Sequence, residues 1–180
     1  ALDLIFKTLD VDNVLLPQLY WGAYVNVLKI NSKPFDFYPD LDFLVKNAAI
    51  LKGSAVILCD PNNPSGAKFD DQDLYQTIQI LNREGVVVIF DSPYRRVFCE
   101  ADEDDFYQRL LEFEHVIISE SFSKSLGLSG MRIGFVHSLN KEFMEELAIK
   151  LLFATNGINN FAQLIIEKLL TTPQGRQSAL

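Results

Sequence analysis

Cysteine is scarce in this sequence, and long hydrophobic runs are missing. The 180 residues contain two cysteines, Cys59 and Cys99, which lie far apart and outside any metal-ligand spacing. A reduced, cytoplasmic interior suits such thiols better than a disulfide framework, and no zinc site is expected. No apolar stretch approaches the ~20 residues that cross a bilayer, and the first residues lack the features of a signal peptide. We therefore expect a soluble, cytoplasmic protein with no membrane partner.

Basic residues are also in short supply. The chain has 16 lysines and arginines against 24 acidic residues, which gives a formal net charge of -8. Such a surface repels polyanions and offers no basic stripe, so we expect no nucleic-acid partner. The acidic run at residues 100–105 is predicted to be a solvated loop before a helix, because no histidine or glycine-turn spacing of a metal site accompanies it. The length suits one globular unit with a sizeable core.

The apolar residues that are present form short runs typical of buried strands. Three β-branched runs without alternation occur at residues 54–59, 86–90 and 116–119. Such runs indicate strands buried on both faces of a sheet. Helical patterns occur at residues 41–51, 70–84, 141–153 and 161–170. Asp40 and Asp70 are the predicted caps of the first two helices, and the second helix joins two strands in a β-α-β unit. The pattern predicts an α/β fold with a mostly parallel sheet.

One further strand is expected to run against the others. It is predicted at residues 133–137, soon after the strand that ends at residue 119. The link between them is too short for a helical crossover, which two parallel neighbours would need. We therefore predict one antiparallel strand in the sheet.

Polar residues follow three of the predicted strands, where parallel sheets bind their ligands. The loop at residues 60–66 carries two adjacent amides, although two prolines and a glycine would also suit a plain turn. Asp91 follows the second strand, where a carboxylate needs a cation or donors to stay ionised. A helix cap, or an ion pair with Arg95 or Arg96, would explain it equally well.

The segment after the third strand adds an amine and a guanidinium to this set. Ser121, Ser123 and Lys124 lie together, and Arg132 follows eight residues after the lysine. A lone lysine here would most simply be solvated. With a buried carboxylate and a phenol nearby, however, the set suits an aldehyde cofactor that bears a phosphate and a basic ring nitrogen.

Four segments in order resemble the class I/II aminotransferases, which are pyridoxal 5'-phosphate (PLP) enzymes. They are residues 63–66 (NPSG), 91–94 (DSPY), 121–124 (SFSK) and 130–134 (GMRIG). The resemblance implies the large domain of their fold, a mostly parallel mixed sheet with helices on both faces. It also implies that residues 1–180 are the central part of that domain. The family's amino-terminal segment and carboxyl-terminal small domain would then lie outside this sequence.

The resemblance assigns catalytic roles to Lys124, Asp91 and Tyr94, and a cofactor-binding role to Asn63. Lys124 would form the imine with the cofactor aldehyde, and once released would move the proton between the substrate α-carbon and the cofactor. Asp91 would pair with the ring nitrogen of PLP. Tyr94 and Asn63 would bind the ring oxygen.

The resemblance also implies a phosphate site and an aromatic contact. Ser121, Ser123 and Arg132 would hold the phosphate. Residues 17–24 (PQLYWGAY) resemble the segment that stacks an aromatic ring on the cofactor, and Trp21 is chosen for this over Tyr20 and Tyr24. An aromatic cluster at helical spacing could equally be plain core.

The function implied by the resemblance is transamination, in which an amino group moves from an amino acid to a 2-oxo acid. A lyase or decarboxylase on the same fold is the alternative, because residues 123–132 also resemble aminocyclopropane-carboxylate synthases. A noncatalytic sensor domain of the kind fused to transcription regulators is a third possibility. The family's usual assembly implies a homodimer.

Overall fold

A computed structural model describes residues 1–98 and 105–179 of the chain. Within them, six strands form one mixed sheet in the order β2-β1-β3-β4-β5-β6. The strands are β1 (Val14–Pro17), β2 (Phe35–Tyr38), β3 (Ala55–Cys59), β4 (Val87–Asp91), β5 (Val116–Ser121) and β6 (Gly134–Ser138). The predicted α/β class is confirmed.

Helices connect and flank these strands. They are α1 (Leu2–Thr8), α2 (Ala23–Ile30), α3 (Leu41–Asn47), α4 (Asp71–Arg83), α5 (Arg95–Phe98), α6 (Phe106–Leu110), α7 (Phe122–Ser125), α8 (Lys141–Thr155), α9 (Asn160–Thr171) and α10 (Pro173–Ala179). Both predicted caps are present. The Asp40 carboxylate accepts a hydrogen bond from a backbone N–H of α3, and Asp70 accepts two from α4. Each cap satisfies donors that the first turn of a helix leaves without partners.

Strand β6 runs antiparallel to its neighbour, as the short link between β5 and β6 predicted. Strands β1 to β5 pair in parallel, and β6 runs antiparallel to β5 with Ile117 opposite Ser138. The link between β5 and β6 holds only α7 and one turn of 3-10 helix at Ser129–Met131. This link can reverse the chain, but it cannot carry it back along the sheet for a parallel pairing.

Several boundaries differ from the predicted ones. The helix predicted at residues 41–51 is α-helical only to Asn47, and Ala48–Leu51 continue it as a 3-10 helix. Strand β4 ends at Asp91, so this carboxylate belongs to the strand and does not follow it. Strands β1 and β2 were not predicted, since each has only four residues and β2 is largely exposed.

The sheet is covered on both faces, which explains its unbroken apolar strands. One core packs α3, α4 and α6 against residues of β3, β4 and β5 such as Val56, Phe90 and Ile118. The other packs α1, α2 and α8 against alternate residues of the same strands, such as Ile57 and Ile89. Successive side chains of a strand point to opposite faces, so one run of apolar residues supplies both cores.

Two expectations concern other parts of the chain. Within the described residues, no helix is both long and apolar enough to cross a membrane. The predicted acidic loop at residues 100–105 lies outside the described residues except for Asp105, so its conformation stays a prediction.

Candidate active site

The carboxyl ends of three central strands lie side by side. Cys59 of β3 pairs in register with Asp91 of β4, and Asp91 pairs with Ser119 of β5. These residues line one side of a cavity of about 1100 Å³. All the site residues predicted from the sequence also line it: Trp21, Asn63, Asp91, Tyr94, Ser121, Ser123, Lys124 and Arg132.

Asp91 is the buried carboxylate of this cavity. Its side chain is 8% exposed, and Tyr24 Oη donates a hydrogen bond of 2.5 Å to Asp91 Oδ2. Burial raises the pKa of Asp91 from 3.8 to about 6, while the hydrogen bond from Tyr24 and the nearby Ser119 hydroxyl act in the opposite direction. The carboxylate is therefore costly to ionise and keeps its charge at neutral pH with the help of neutral donors.

Neither neighbouring arginine explains Asp91. Buried Arg95 forms ion pairs with Asp60 at 3.1 Å and with Asp71 at 2.9 Å. Arg96 forms one with Glu120 at 3.3 Å. Among the described residues, no ion pair joins either guanidinium to Asp91, so the ion-pair alternative raised by the sequence is not what the structure contains.

Asn63 and Tyr94 come from different loops and meet in the cavity. Asn63 Nδ2 donates to Tyr94 Oη at 3.1 Å. The buried pair of Arg95 and Asp60 joins the same two loops, because Arg95 follows Tyr94 directly and Asp60 precedes Asn63 by three residues. The amide and the phenol are therefore held together, with donor capacity left for a ligand oxygen.

Lys124 lies in the short helix α7 and is exposed toward the cavity. Its Nζ is 5.8 Å from the centre of the Tyr94 ring. Ser121 ends β5 and caps α7, since its hydroxyl accepts a hydrogen bond of 3.2 Å from the backbone N–H of Ser123. The strand end thus presents the amine and the two hydroxyls from one turn of chain.

Arg132 reaches the same cavity from the other side of the link. It adopts the left-handed conformation with φ of 52°, and Nη1 donates to the carbonyl oxygen of Ser129 at 3.0 Å. Gly134 follows closely, and a Cβ there would overlap the backbone oxygen of Glu120. The glycine therefore lets β6 begin tightly against β5, next to the arginine.

The aromatic segment divides between the cavity and the core. Trp21 is 46% exposed, lines the cavity, and meets the ring of Tyr24 edge-on at 5.7 Å. Tyr20 instead stacks on Phe37 at 5.4 Å. Of the three aromatic candidates, Trp21 is the one whose ring is both exposed and on the cavity.

Sequence reasoning missed three residues beside Asp91. The sequence suggests Tyr24 only as an alternative stacking ring, yet its hydroxyl donates a hydrogen bond to the carboxylate. In the sequence, Ser119 indicates only the end of a strand. Cys59 has a thiol whose pKa is raised to about 11, chiefly by burial, so it stays protonated. Cys59 and Ser119 could have been found from the register of the strands, which places them opposite Asp91. Nothing in the sequence near Tyr24 indicates its contact with Asp91.

The arrangement suits an organic ligand with several different groups. A buried carboxylate favours a cation, the amide and phenol favour an oxygen, and hydroxyls with a guanidinium favour a phosphate. The exposed amine can react with a carbonyl carbon. Within residues 1–98 and 105–179, no cluster of histidine, cysteine and acidic side chains could hold a metal ion.

Comparison with known proteins gives one family. The family model described as aminotransferase class I and II matches residues 1–180. The chain is 35% identical over 150 residues to histidinol-phosphate aminotransferase of Christiangramia forsetii, which covers 77% of this chain and 40% of that protein. The chain therefore spans less than half the length of this relative.

Solved structures share the fold at lower identity. An aromatic amino acid aminotransferase with 3-indolebutyric acid matches 99% of this chain and 51% of its own, with a TM-score of 0.85 and 21% identity. The aromatic-amino-acid aminotransferase of Burkholderia pseudomallei, covalently bound to pyridoxal phosphate, matches 99% of this chain and 49% of its own, with a TM-score of 0.82 and 21% identity. Together with the match of the family model over the whole sequence, this places the chain in the class I and II aminotransferase family.

Proposed function

We propose that the protein containing this chain is a PLP-dependent aminotransferase that moves an amino group from an amino acid to a 2-oxo acid. One observation carries the proposal: a single cavity is lined by the buried carboxylate of Asp91, the amine of Lys124 and the paired side chains of Asn63 and Tyr94. PLP has a group that matches each of them, namely a basic ring nitrogen, an aldehyde and a ring oxygen. Family membership supports the same activity.

The environment of Asp91 fits the ring nitrogen of PLP. Burial raises its pKa to about 6, and no lysine or arginine among the described residues forms an ion pair with it. A protonated ring nitrogen would supply the missing cation, and Asp91 in turn would hold the proton on that nitrogen. Within about 4 Å this attraction is worth roughly 4 kcal/mol at an effective dielectric constant of 20.

The other cofactor contacts follow from the donors in the cavity. Asn63 and Tyr94 would donate to the ring oxygen of PLP. The hydroxyls of Ser121 and Ser123 and the guanidinium of Arg132 would hold the phosphate, since a guanidinium can bind two phosphate oxygens at once. Trp21 would cover one face of the ring.

Lys124 would carry the proton transfer. When bound, PLP supplies an aldehyde that bonds to amines and a ring that accepts electrons. Lys124 Nζ would take the proton from the α-carbon of the amino acid, and later return a proton. Because the amine is flexible and exposed to the cavity, it can reach more than one atom of the substrate.

Borohydride trapping tests the assignment of Lys124. The reagent fixes PLP irreversibly to the amine that binds it, and peptide mapping then locates the label. We expect the label on Lys124, and we expect Lys124→Ala to abolish nearly all turnover. Lys141→Ala is the control, because Lys141 is an exposed lysine at the start of α8. A label on Lys141 or Lys150 would contradict the assignment.

Product analysis separates transamination from its alternatives. With an amino acid and a 2-oxo acid supplied together, an aminotransferase forms a new amino acid and a new oxo acid in equal amounts. A lyase or decarboxylase would release ammonia or carbon dioxide and would not aminate the acceptor. A sensor domain would bind PLP and turn over neither substrate.

The proposal extends to the assembly and location of the protein. The resemblance to the family supports a homodimer, a cytoplasmic location and a longer chain in which these residues form the central part of the large domain. Light scattering of the purified protein tests the dimer, and cell fractionation tests the compartment. A monomer with full activity would refute the dimer.

A further inference from the structure

Tyr24 makes a contact that the reaction does not by itself require. It is the second residue of α2, is 1% exposed, and donates to Asp91 Oδ2 at 2.5 Å across 67 residues of sequence. Its own pKa lies well above 10, because burial and the nearby Asp91 both disfavour a charged phenolate. The hydroxyl is therefore a permanent donor to the carboxylate over the whole range in which proteins work.

We propose that Tyr24 is a positioning residue that holds the Asp91 carboxylate, through this hydrogen bond, in the orientation and charge state that a protonated pyridine nitrogen needs. The inference rests on the proposed function, because it assumes PLP in the cavity. It gives Tyr24 a role different from ring stacking, which the geometry leaves to Trp21.

The chemistry of a carboxylate makes this role possible. An ionised carboxylate accepts about four hydrogen bonds, and the one from Tyr24 uses only part of that capacity. The remainder is available on the cavity side, which Asp91 lines. A donor to the ionised form also favours ionisation, so Tyr24 opposes the effect of burial on Asp91.

Other groups face Asp91 and act on its charge as well. The Cys59 thiol lies beside it on β3, and the Ser119 hydroxyl lies beside it on β5. Both remain in a variant that changes Tyr24 alone, so a comparison between variants isolates the phenol.

Tyr38 provides a matched control for Tyr24. It is also 1% exposed, and its hydroxyl donates a buried hydrogen bond of 2.8 Å to the carbonyl oxygen of Ile57. It packs in the core that includes α3 and α4, on the opposite face of the sheet from Tyr24. Tyr24→Phe and Tyr38→Phe therefore each remove one buried phenol hydroxyl, but only the first removes a donor to Asp91.

The first measurement needs no cofactor. The aspartate carboxyls of the PLP-free protein are titrated by carbon NMR, and the Asp91 signal is identified by its loss in Asp91→Asn. We expect Tyr24→Phe to raise the midpoint of Asp91 by about one pH unit above the wild-type value, because a donor to the charged form is lost. Tyr38→Phe should leave it unchanged. Equal midpoints in Tyr24→Phe and the wild type would overturn the proposal.

The second measurement links the carboxylate to the cofactor. The dissociation constant of PLP is measured by fluorescence between pH 5 and 8.5. We assume that PLP binds only when Asp91 is ionised. A rise of about one unit in the pKa of Asp91 then weakens PLP binding to Tyr24→Phe by about tenfold relative to the wild type at pH 5, whereas the two proteins bind PLP nearly equally at pH 8.5. Tyr38→Phe should follow the wild-type curve. If the ratio of the PLP dissociation constants of Tyr24→Phe and the wild type does not change with pH, the proposal is overturned.

The two measurements separate the possible failures. If PLP binds and is trapped on Lys124 while Tyr24→Phe leaves Asp91 unshifted, the proposed function stands and the role of Tyr24 is wrong. If Asp91 shifts as expected but the wild-type protein binds no PLP, the proposed function fails. The role of Tyr24 toward PLP then fails with it.

Discussion

Replacing Asp91 with asparagine should make the PLP-free protein more stable at neutral pH. The folded protein holds Asp91 with a pKa of about 6, against an ordinary value of 3.8. Between these values the folded state binds more protons than the unfolded state, so the free energy of unfolding falls as pH rises through this window. Above this pH window the free energy of unfolding falls no further on account of Asp91, because the carboxyl is ionised in both the folded and the unfolded state. About two pKa units correspond to about 3 kcal/mol, which is the cost of keeping this carboxylate ionised in the cavity.

Asparagine keeps the size of the side chain and an oxygen that can accept from Tyr24, but it carries no charge. We expect Asp91→Asn to raise the free energy of unfolding by up to about 3 kcal/mol at pH 7, with the difference shrinking toward zero near pH 4. Urea unfolding at both pH values, followed by circular dichroism, measures it. Asp10→Asn changes an exposed aspartate and should stay within about 0.5 kcal/mol of the wild type at either pH.

Two outcomes bear on the reasoning. Saturating PLP should narrow or reverse the difference in the free energy of unfolding between Asp91→Asn and the wild type at pH 7. The reason is that only the ionised carboxylate of the wild type attracts a protonated ring nitrogen. If Asp91→Asn is less stable than the wild type at pH 7 without PLP, the hydrogen bond from Tyr24 outweighs the cost of burying the charge. Asp91 would then be a stabilising residue, and the argument that its charge is maintained for a ligand would be wrong.

Two further predictions concern the link between β5 and β6. Arg132→Lys keeps a positive charge but loses the bidentate contact of the guanidinium with the phosphate. We therefore expect the dissociation constant of PLP to rise roughly 10- to 100-fold, while borohydride still traps PLP on Lys124. An unchanged dissociation constant would place the phosphate elsewhere. Gly134→Ala should destabilise the protein by about 2–4 kcal/mol in urea unfolding, because its Cβ would overlap the backbone of Glu120. Gly130→Ala, where a Cβ meets nothing within 4 Å, is the control, and equal effects at both glycines would refute the packing argument.

Much of the architecture follows from short stretches of sequence. The apolar runs that became β3, β4 and β5 could be recognised because strands buried on both faces need uninterrupted apolar residues. The caps Asp40 and Asp70 act on backbone donors two or three residues away. The direction of β6 followed from the length of one link. Each of these features is decided by residues close together in the chain, so a local pattern predicts it.

The candidate site was only partly accessible in this way. Asn63, Asp91 and Lys124 stand at the ends of recognisable strands or in motifs, and parallel strands bring such ends to one edge of the sheet. Their positions on one cavity were therefore predictable. Their roles toward PLP came from the resemblance, and the experiments above test them.

Only the tertiary structure decided which partners these residues have. Tyr24 meets Asp91 across 67 residues, and Arg95 pairs with Asp60 across 35. Sequence distance alone would have favoured an ion pair between Arg95 and Asp91, since they lie four residues apart. In the folded protein the two side chains point to different places. Asp91, at the end of a buried strand, faces the cavity, whereas Arg95 packs against the loop before α4 and pairs with Asp60. Hydrogen bonds and ion pairs depend on distances of a few ångströms in space, and sequence spacing does not encode these once the chain has crossed the sheet.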